Sequence, residues 1–123
     1  MATYNLLSSH LVPADRFKYC DPKNLEAGVR LERILAKLEA ETAAAAVCCL
    51  QEVPRGWCGA LRDFFEARDF TLVTSLYGAP YSDYMGVAVA FPRARMELLE
   101  ADVRRVAHTK PWPEPPAARA PAA

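Results

Sequence analysis

The chain opens with a short β-like run, TYNLLS (residues 3–8), which breaks at the polar pair Ser8 and Ser9. A long connection with two prolines follows, and from about Gly28 the period changes. Leu31, Ile34, Leu35 and Leu38 fall at i, i+3, i+4 and i+7, one face of an amphipathic helix, with Arg30, Glu32, Arg33, Lys37 and Glu41 elsewhere. The run AAAAVCCLQEV is then continuously apolar until its Gln-Glu, and Pro54, Arg55 and Gly56 close it. Val47 to Gln51 has strand length, whereas the alanines before it fit helix or strand. Trp57, Leu61, Phe64, Phe65 and Arg68 predict a second helix over 57–68, its aromatic face packed on a sheet. FTLVTSLYG (70–78) and MGVAVAFP (85–92) predict two further strands, the second stopped by Pro92. RMELLEADVRRV (95–106) fits strand or short helix by period, and strand is preferred. The order is β-α-β-α-β-β-(β), an α/β pattern with helices covering a sheet.

The early β-α-β unit implies a parallel pairing with a right-handed crossover. Ligands of open α/β sheets gather at the carboxyl ends of strands. Asn5 ends the first strand and Glu52 the second, so neighbouring strands would bring an amide and a carboxylate to one mouth.

Composition narrows the field. With 15 basic and 15 acidic residues in 123, the chain has no general electrostatic footprint for nucleic acid, and phosphate recognition would have to be local. KPWPEPPAARAPAA (110–123) is rich in proline and alanine without apolar periodicity and reads as a disordered tail. The domain is expected over 1–108 and the tail over 109–123. No Cys-x-x-Cys or zinc spacing links Cys20, Cys48, Cys49 and Cys58, which read as free thiols, the adjacent pair on opposite strand faces. The N-terminus lacks the flank and apolar stretch of a signal peptide, and no run spans a membrane. A soluble intracellular protein, cytoplasmic or nuclear, is expected.

A carboxylate beside an amide is a seat for a hard cation. Magnesium keeps several waters and needs one or two carboxylates plus substrate phosphate oxygens. By spacing alone, Asn5 reads sooner as the organiser of a turn, and Glu52 as a solvated strand end.

TYNLLS, CLQEV and YMGVAVAFP in series resemble the opening half of the endonuclease/exonuclease/phosphatase superfamily, in the flavour of the carbon-catabolite-repression-type deadenylases. Members end the first strand in Asn and the second in Gln-Glu, and a later strand carries Gly-x-Ala ahead of an aromatic. Asn5, Gln51, Glu52, Gly86, Ala88 and Phe91 occupy those positions, and the likeness runs over about residues 2–106. The resemblance implies half of a four-layer α/β sandwich, one mixed β-sheet covered by helices. It also implies hydrolysis of a phosphate ester with Mg²⁺, or Mn²⁺ in its place. Glu52 would bind the metal and Asn5 would orient the phosphate.

The family's other half supplies an Asp-x-Asn and a Ser-Asp-His, and neither occurs here. Asn24 stands outside any Asp-x-Asn, His10 and His108 outside any Ser-Asp-His, and SDY at 82–84 lies where the family has a variable loop. The general base is therefore missing and the chain alone is expected to be inactive or nearly so. Half of such a sandwich leaves a sheet face without its partner. A truncated or frame-shifted gene, a split half completed by a complementary half-domain, and a small non-catalytic interaction module each account for this. Self-association through the exposed face is a further expectation.

Tyr4, Phe64, Phe65, Phe70 and Phe91 read as core rather than base-stacking platforms. Arg93, Arg95, Arg104 and Arg105 read as a solvated face among interspersed acids. His10 lacks a partner motif. The substrate, whether RNA, DNA, a sugar phosphate or an inositol phosphate, stays open, and a generic nucleotide-binding domain ranks last without a Gly-rich phosphate loop.

Overall fold

The computed structural model describes residues 1–13, 15–78 and 82–104. Its elements are β1 (Ala2–Asn5), α1 (Ala27–Ala43), β2 (Cys48–Pro54), α2 (Cys58–Glu66), β3 (Phe70–Leu76) and β4 (Met85–Pro92). Short 3₁₀ turns cover Ser9–Leu11, Pro22–Leu25 and Arg55–Trp57. The strands form one mixed sheet in the order β1-β2-β4-β3. β1 and β2 pair in parallel, while β4 runs antiparallel to both β2 and β3.

This order decides where the helices go. β1, β2 and β3 all point the same way, and the two helical crossovers step across the sheet in one direction. Right-handed crossovers of that kind place both helices on the same face. Their buried side chains, Leu38 from α1 and Leu61, Phe64 and Phe65 from α2, accordingly share one core with Leu6, Cys48, Leu50, Phe70, Leu72, Ala88 and Ala90. The result is one sheet layer and one helix layer, the expected half of a four-layer α/β sandwich. Thr3, Cys49, Val73, Val87 and Val89 alternate with those core residues and so occupy the opposite sheet face. Val87 and Val89 are 41% and 39% exposed there.

The alanine run resolves into a helix end. Ala45 takes φ 50°, and Ala46 N–H donates to Glu41 C=O at 3.0 Å, a left-handed cap in which glycine is the usual residue. Arg68 ties the end of α2 to α1, gripping Glu39 through Nε and Nη2 while lying 3.8 Å above the Phe64 ring.

Two expectations need correction. Residues 95–104 form no strand; the chain leaves β4 through a turn in which Arg95 and Met96 N–H donate to Pro92 C=O. Leu98, Leu99 and Val103 stay exposed there, so the alternating pattern finds no neighbouring strand to pair with among the described residues. The second helix proper starts at Cys58, with Trp57 in the 3₁₀ turn before it, and ends at Glu66. Arg105, His108, Ala79, Pro80 and the 109–123 tail lie outside the described residues.

The aromatics read as core are buried at Phe64, Phe65, Phe70 and Phe91, with Tyr4 packed against the core edge. Phe91 sits on the sheet face away from the helices, against Met96, Leu98 and Leu99. All four cysteines are free. Burial raises the Cys48 thiol above its ordinary 9.0, with Glu41 adding to the effect, and burial likewise raises Cys58. No helix among the described residues is long and apolar enough to cross a membrane.

Candidate active site

Parallel pairing brings the carboxyl ends of β1 and β2 side by side, with Asn5 level with Gln51. Strict alternation would place Glu52 on the face of Leu50, in the core. A β-bulge prevents it. Gln51 pairs with Val87 and Val53 with Gly86, leaving Glu52 as an extra residue that no β4 residue opposes. Val53 takes the buried position, and Glu52, at φ 53°, stands half-buried at the strand end. A non-glycine residue in that backbone region costs about 1–3 kcal/mol and persists where its surroundings over-determine it.

Those surroundings are specific. Asn5 Nδ2 donates to Glu52 Oε1 at 2.8 Å, and Ser8 N–H donates to Oε2 at 3.3 Å. Asn5 Oδ1 accepts from Leu7 N–H at 2.8 Å, an Asx turn that starts the loop after β1. These two bonds together fix which end of the Asn5 amide is oxygen and which is nitrogen. Leu7, at φ 52°, then bends the chain so that Ser8 returns to the carboxylate. The turn-organiser reading of Asn5 is met through its Oδ1, while its Nδ2 is turned to Glu52.

Pattern reading missed Arg30. Its Nη2 donates to Leu6 C=O at 2.6 Å and also to Leu7 C=O, and its guanidinium lies 5.4 Å from the Trp57 ring centroid. Burial lowers its pKa below the ordinary guanidinium value. A signal was available. Arg30, Ile34, Leu38 and Thr42 repeat at i+4 down one side of α1, and Leu38 and Thr42 are its buried residues.

Unsatisfied polarity gathers at the same corner. Ser8 is fully buried, and Ser8 Oγ, Ser9 Oγ and Arg30 Nη1 have no hydrogen-bond partner. Positive φ at Leu7 and Glu52 and orphaned polar atoms on Ser8, Ser9 and Arg30 thus fall in segments joined at the β1 exit. Local rules are broken in this way chiefly where function requires it.

The donor set fits a hard cation as a single-carboxylate anchor. Each Glu52 oxygen accepts one hydrogen bond, which leaves lone-pair capacity on both. No group of three or more Cys, His, Asp or Glu side chains forms a metal cage among the described residues.

The remaining expected residues divide. Gly86 lies on β4 beside the bulge, and a Cβ there would stand 1.9 Å from the Ser75 carbonyl oxygen, so only glycine lets β3 and β4 approach. Ala88 pairs with Leu50 in the core and Phe91 is remote from Glu52 along β4. Gln51 is held to Thr3 by a side-chain bond of 3.1 Å on the sheet's open face. His10 stacks obliquely on Tyr84 at 5.1 Å between centroids. Arg93 bonds Thr71 and Asp69, and Arg104 bonds Asp102, as a solvated face would.

No protein-family model and no curated protein matches the chain. Among solved structures, two crystal structures of ANGEL2, a 2′,3′-cyclic phosphatase, align with it at TM-score 0.65 and 25% identity. One of them is a complex with adenosine-2′,3′-vanadate. ANGEL2 belongs to the endonuclease/exonuclease/phosphatase superfamily and is related to the deadenylases. The likeness supports that superfamily. Each alignment covers 80% of this chain and 28% of the ANGEL2 chain, so these residues span under a third of that phosphatase's length.

Proposed function

We propose that the chain forms one wall of a phosphate-ester hydrolase site in the deadenylase-related branch of the superfamily, with Glu52 holding Mg²⁺ or Mn²⁺ and Asn5 orienting the phosphate. The observation that carries this reading is the Asn5–Glu52 hydrogen bond of 2.8 Å at a bulged, positive-φ strand end. It stands on a fold shared with a 2′,3′-cyclic phosphatase.

In this reading each residue has a separate duty. β2 supplies a rigid base for the carboxylate, which a loop would position less tightly. Asn5 uses one N–H of Nδ2 on Glu52 and its Oδ1 on Leu7 N–H, and keeps the second N–H for a phosphate oxygen. Ser8 N–H holds the far carboxylate oxygen against rotation. The divalent cation, when bound, supplies Lewis-acid polarisation of the phosphoryl oxygen and charge stabilisation of the leaving group. Water activation needs a base, and the Asp-x-Asn and Ser-Asp-His that the resemblance would assign to that duty do not occur in the sequence. The chain by itself is therefore expected to turn over slowly or not at all, and a complementary half-domain would supply the base.

The test is a titration of the chain with Mn²⁺, followed by paramagnetic broadening of backbone amides. Broadening centred on residues 5–8 and 51–53, and lost in Glu52→Gln, supports the reading; broadening indifferent to Glu52→Gln overturns it. An assay panel led by a 2′,3′-cyclic nucleotide, with RNA and simple phosphodiesters, then tests the substrate class.

A second reading rests on the open sheet face, where Val87 and Val89 are exposed beside Val73. As a non-catalytic interaction module, the chain would form a stoichiometric complex through that face, unaffected by chelator or by Glu52→Ala. Loss of the complex on either treatment removes this reading.

A further inference from the structure

We propose that Arg30 is the positioning residue of the Glu52 carboxylate, acting through the loop after β1; this rests on the reading of Glu52 as the metal-binding group. Arg30 touches neither Glu52 nor Asn5 through any side-chain bond described above. Its Nη2 instead holds the carbonyls of Leu6 and Leu7, the two residues between Asn5 and Ser8. Those two residues carry the turn. Leu6 N–H donates back to Gln51 C=O at 2.9 Å, the last bond of the β1–β2 ladder, and Leu7 then leaves the sheet at φ 52°.

A leucine in the left-handed region does not stay there unaided. One arm of the support is Asn5 Oδ1 on Leu7 N–H, and the other is Arg30 on the two carbonyls. The guanidinium also lies 5.4 Å from the ring centroid of the buried Trp57 indole, just after the β2 exit. Arg30 therefore spans α1, the end of β1 and the segment after β2. When the loop is held, Ser8 N–H reaches Glu52 Oε2 while Asn5 reaches Oε1. When it is released, both supports of the carboxylate loosen together, because Asn5 and Ser8 are joined through the turn.

A single charged donor on two adjacent carbonyls, with an indole beside it, is a task for arginine. Lysine offers the charge without the planar fork or the stacking surface. The stem methylenes pack whichever head group follows, so Arg30→Met removes the clamp while keeping much of the packing.

The experiment compares the chain with its Arg30→Met, Arg30→Lys and Arg68→Ala variants. Arg68 is a control of similar chemistry, tied to Glu39 and Phe64 away from the site. Native-state amide exchange is read at Leu7 and Ser8, and Mn²⁺ affinity is read by titration. In Arg30→Met, exchange at both amides should quicken about tenfold beyond any change at core amides such as Leu50. Mn²⁺ affinity should fall about fivefold, and Arg30→Lys should recover part of each effect. Arg68→Ala should lower global stability without singling out Leu7 or Ser8. If Arg30→Met changes exchange at Leu7 and Ser8 only in step with Leu50, or Arg68→Ala perturbs them equally, the positioning role is wrong. Should the unaltered chain bind no Mn²⁺, the metal reading of Glu52 fails, and the exchange comparison alone decides whether Arg30 orders the loop.

Discussion

Asn5 and Glu52, 47 residues apart in sequence, meet through a 2.8 Å hydrogen bond at the mouth formed by two parallel strands. The bond joins the strand-end amide to a carboxylate that a bulge has turned out of the core. Its consequences can be tested one residue at a time.

Changing Asn5 to Asp places a second carboxylate where the donor stood. Two carboxylates at that distance repel when both are ionised, so the fold is disfavoured as the pH rises and both charge. The variant should be close to Asn5→Ala in stability near pH 4 and weaker by about 1 kcal/mol at pH 7, the exposed position screening the rest. Denaturant titrations at the two pH values decide, and identical curves would rule the contact out.

Glu52 tests backbone strain against side-chain chemistry. Glu52→Gly relieves the positive φ while deleting the carboxylate, so its stability should stay within about 1 kcal/mol of the parent chain. Glu52→Val adds a β-branched side chain to the same backbone and should cost about 2 kcal/mol or more. Equal losses in thermal unfolding would mean that the bulge relaxes when the carboxylate goes.

Gly86 and Gly59 should respond to alanine with opposite signs. At 86 the new Cβ would fall 1.9 Å from Ser75 O and 2.6 Å from Leu76 Cα, both backbone atoms that move only if β3 moves. A loss of about 3 kcal/mol, or failure to fold, is expected. At 59, on α2, a Cβ meets nothing within 4 Å. The helix should gain about 0.5–1 kcal/mol from the substitution. Urea midpoints of the two variants provide the comparison.

Cys48 should make the fold alkali-sensitive. Its thiol pKa is raised above 9.0 by burial first and by Glu41 second. A raised folded value contributes stability fully below the unfolded pKa, and that contribution declines as pH climbs from about 9 through the folded value. Melting temperature should therefore fall more between pH 8 and pH 10 in the parent chain than in Cys48→Ala. Parallel slopes for the two proteins would show that other groups control the alkaline limit.

Much of this protein could be read from residue order. α1, β3 and β4 follow local periods, 3.6 for the helix and continuous or alternating apolar runs for the strands, and such periods survive without knowledge of the neighbours. Asn5 and Glu52 pointed to the candidate site because strand ends are local features and parallel pairing brings them together, while Gly86-x-Ala88 entered through the resemblance alone. Residues 95–104 misled for the complementary reason. Their alternation is real, but a strand exists only when another strand offers it a ladder, and among the described residues none does. Tertiary structure alone decided the aim of Glu52, because the bulge depends on how β4 registers against β2 across more than thirty residues of chain. It also decided the partners of Arg30, whose place on the buried row of α1 was legible but whose contact with the Leu6 and Leu7 carbonyls was not. Periodicity states which side of an element is buried; the partner waiting on that side is set by the rest of the chain.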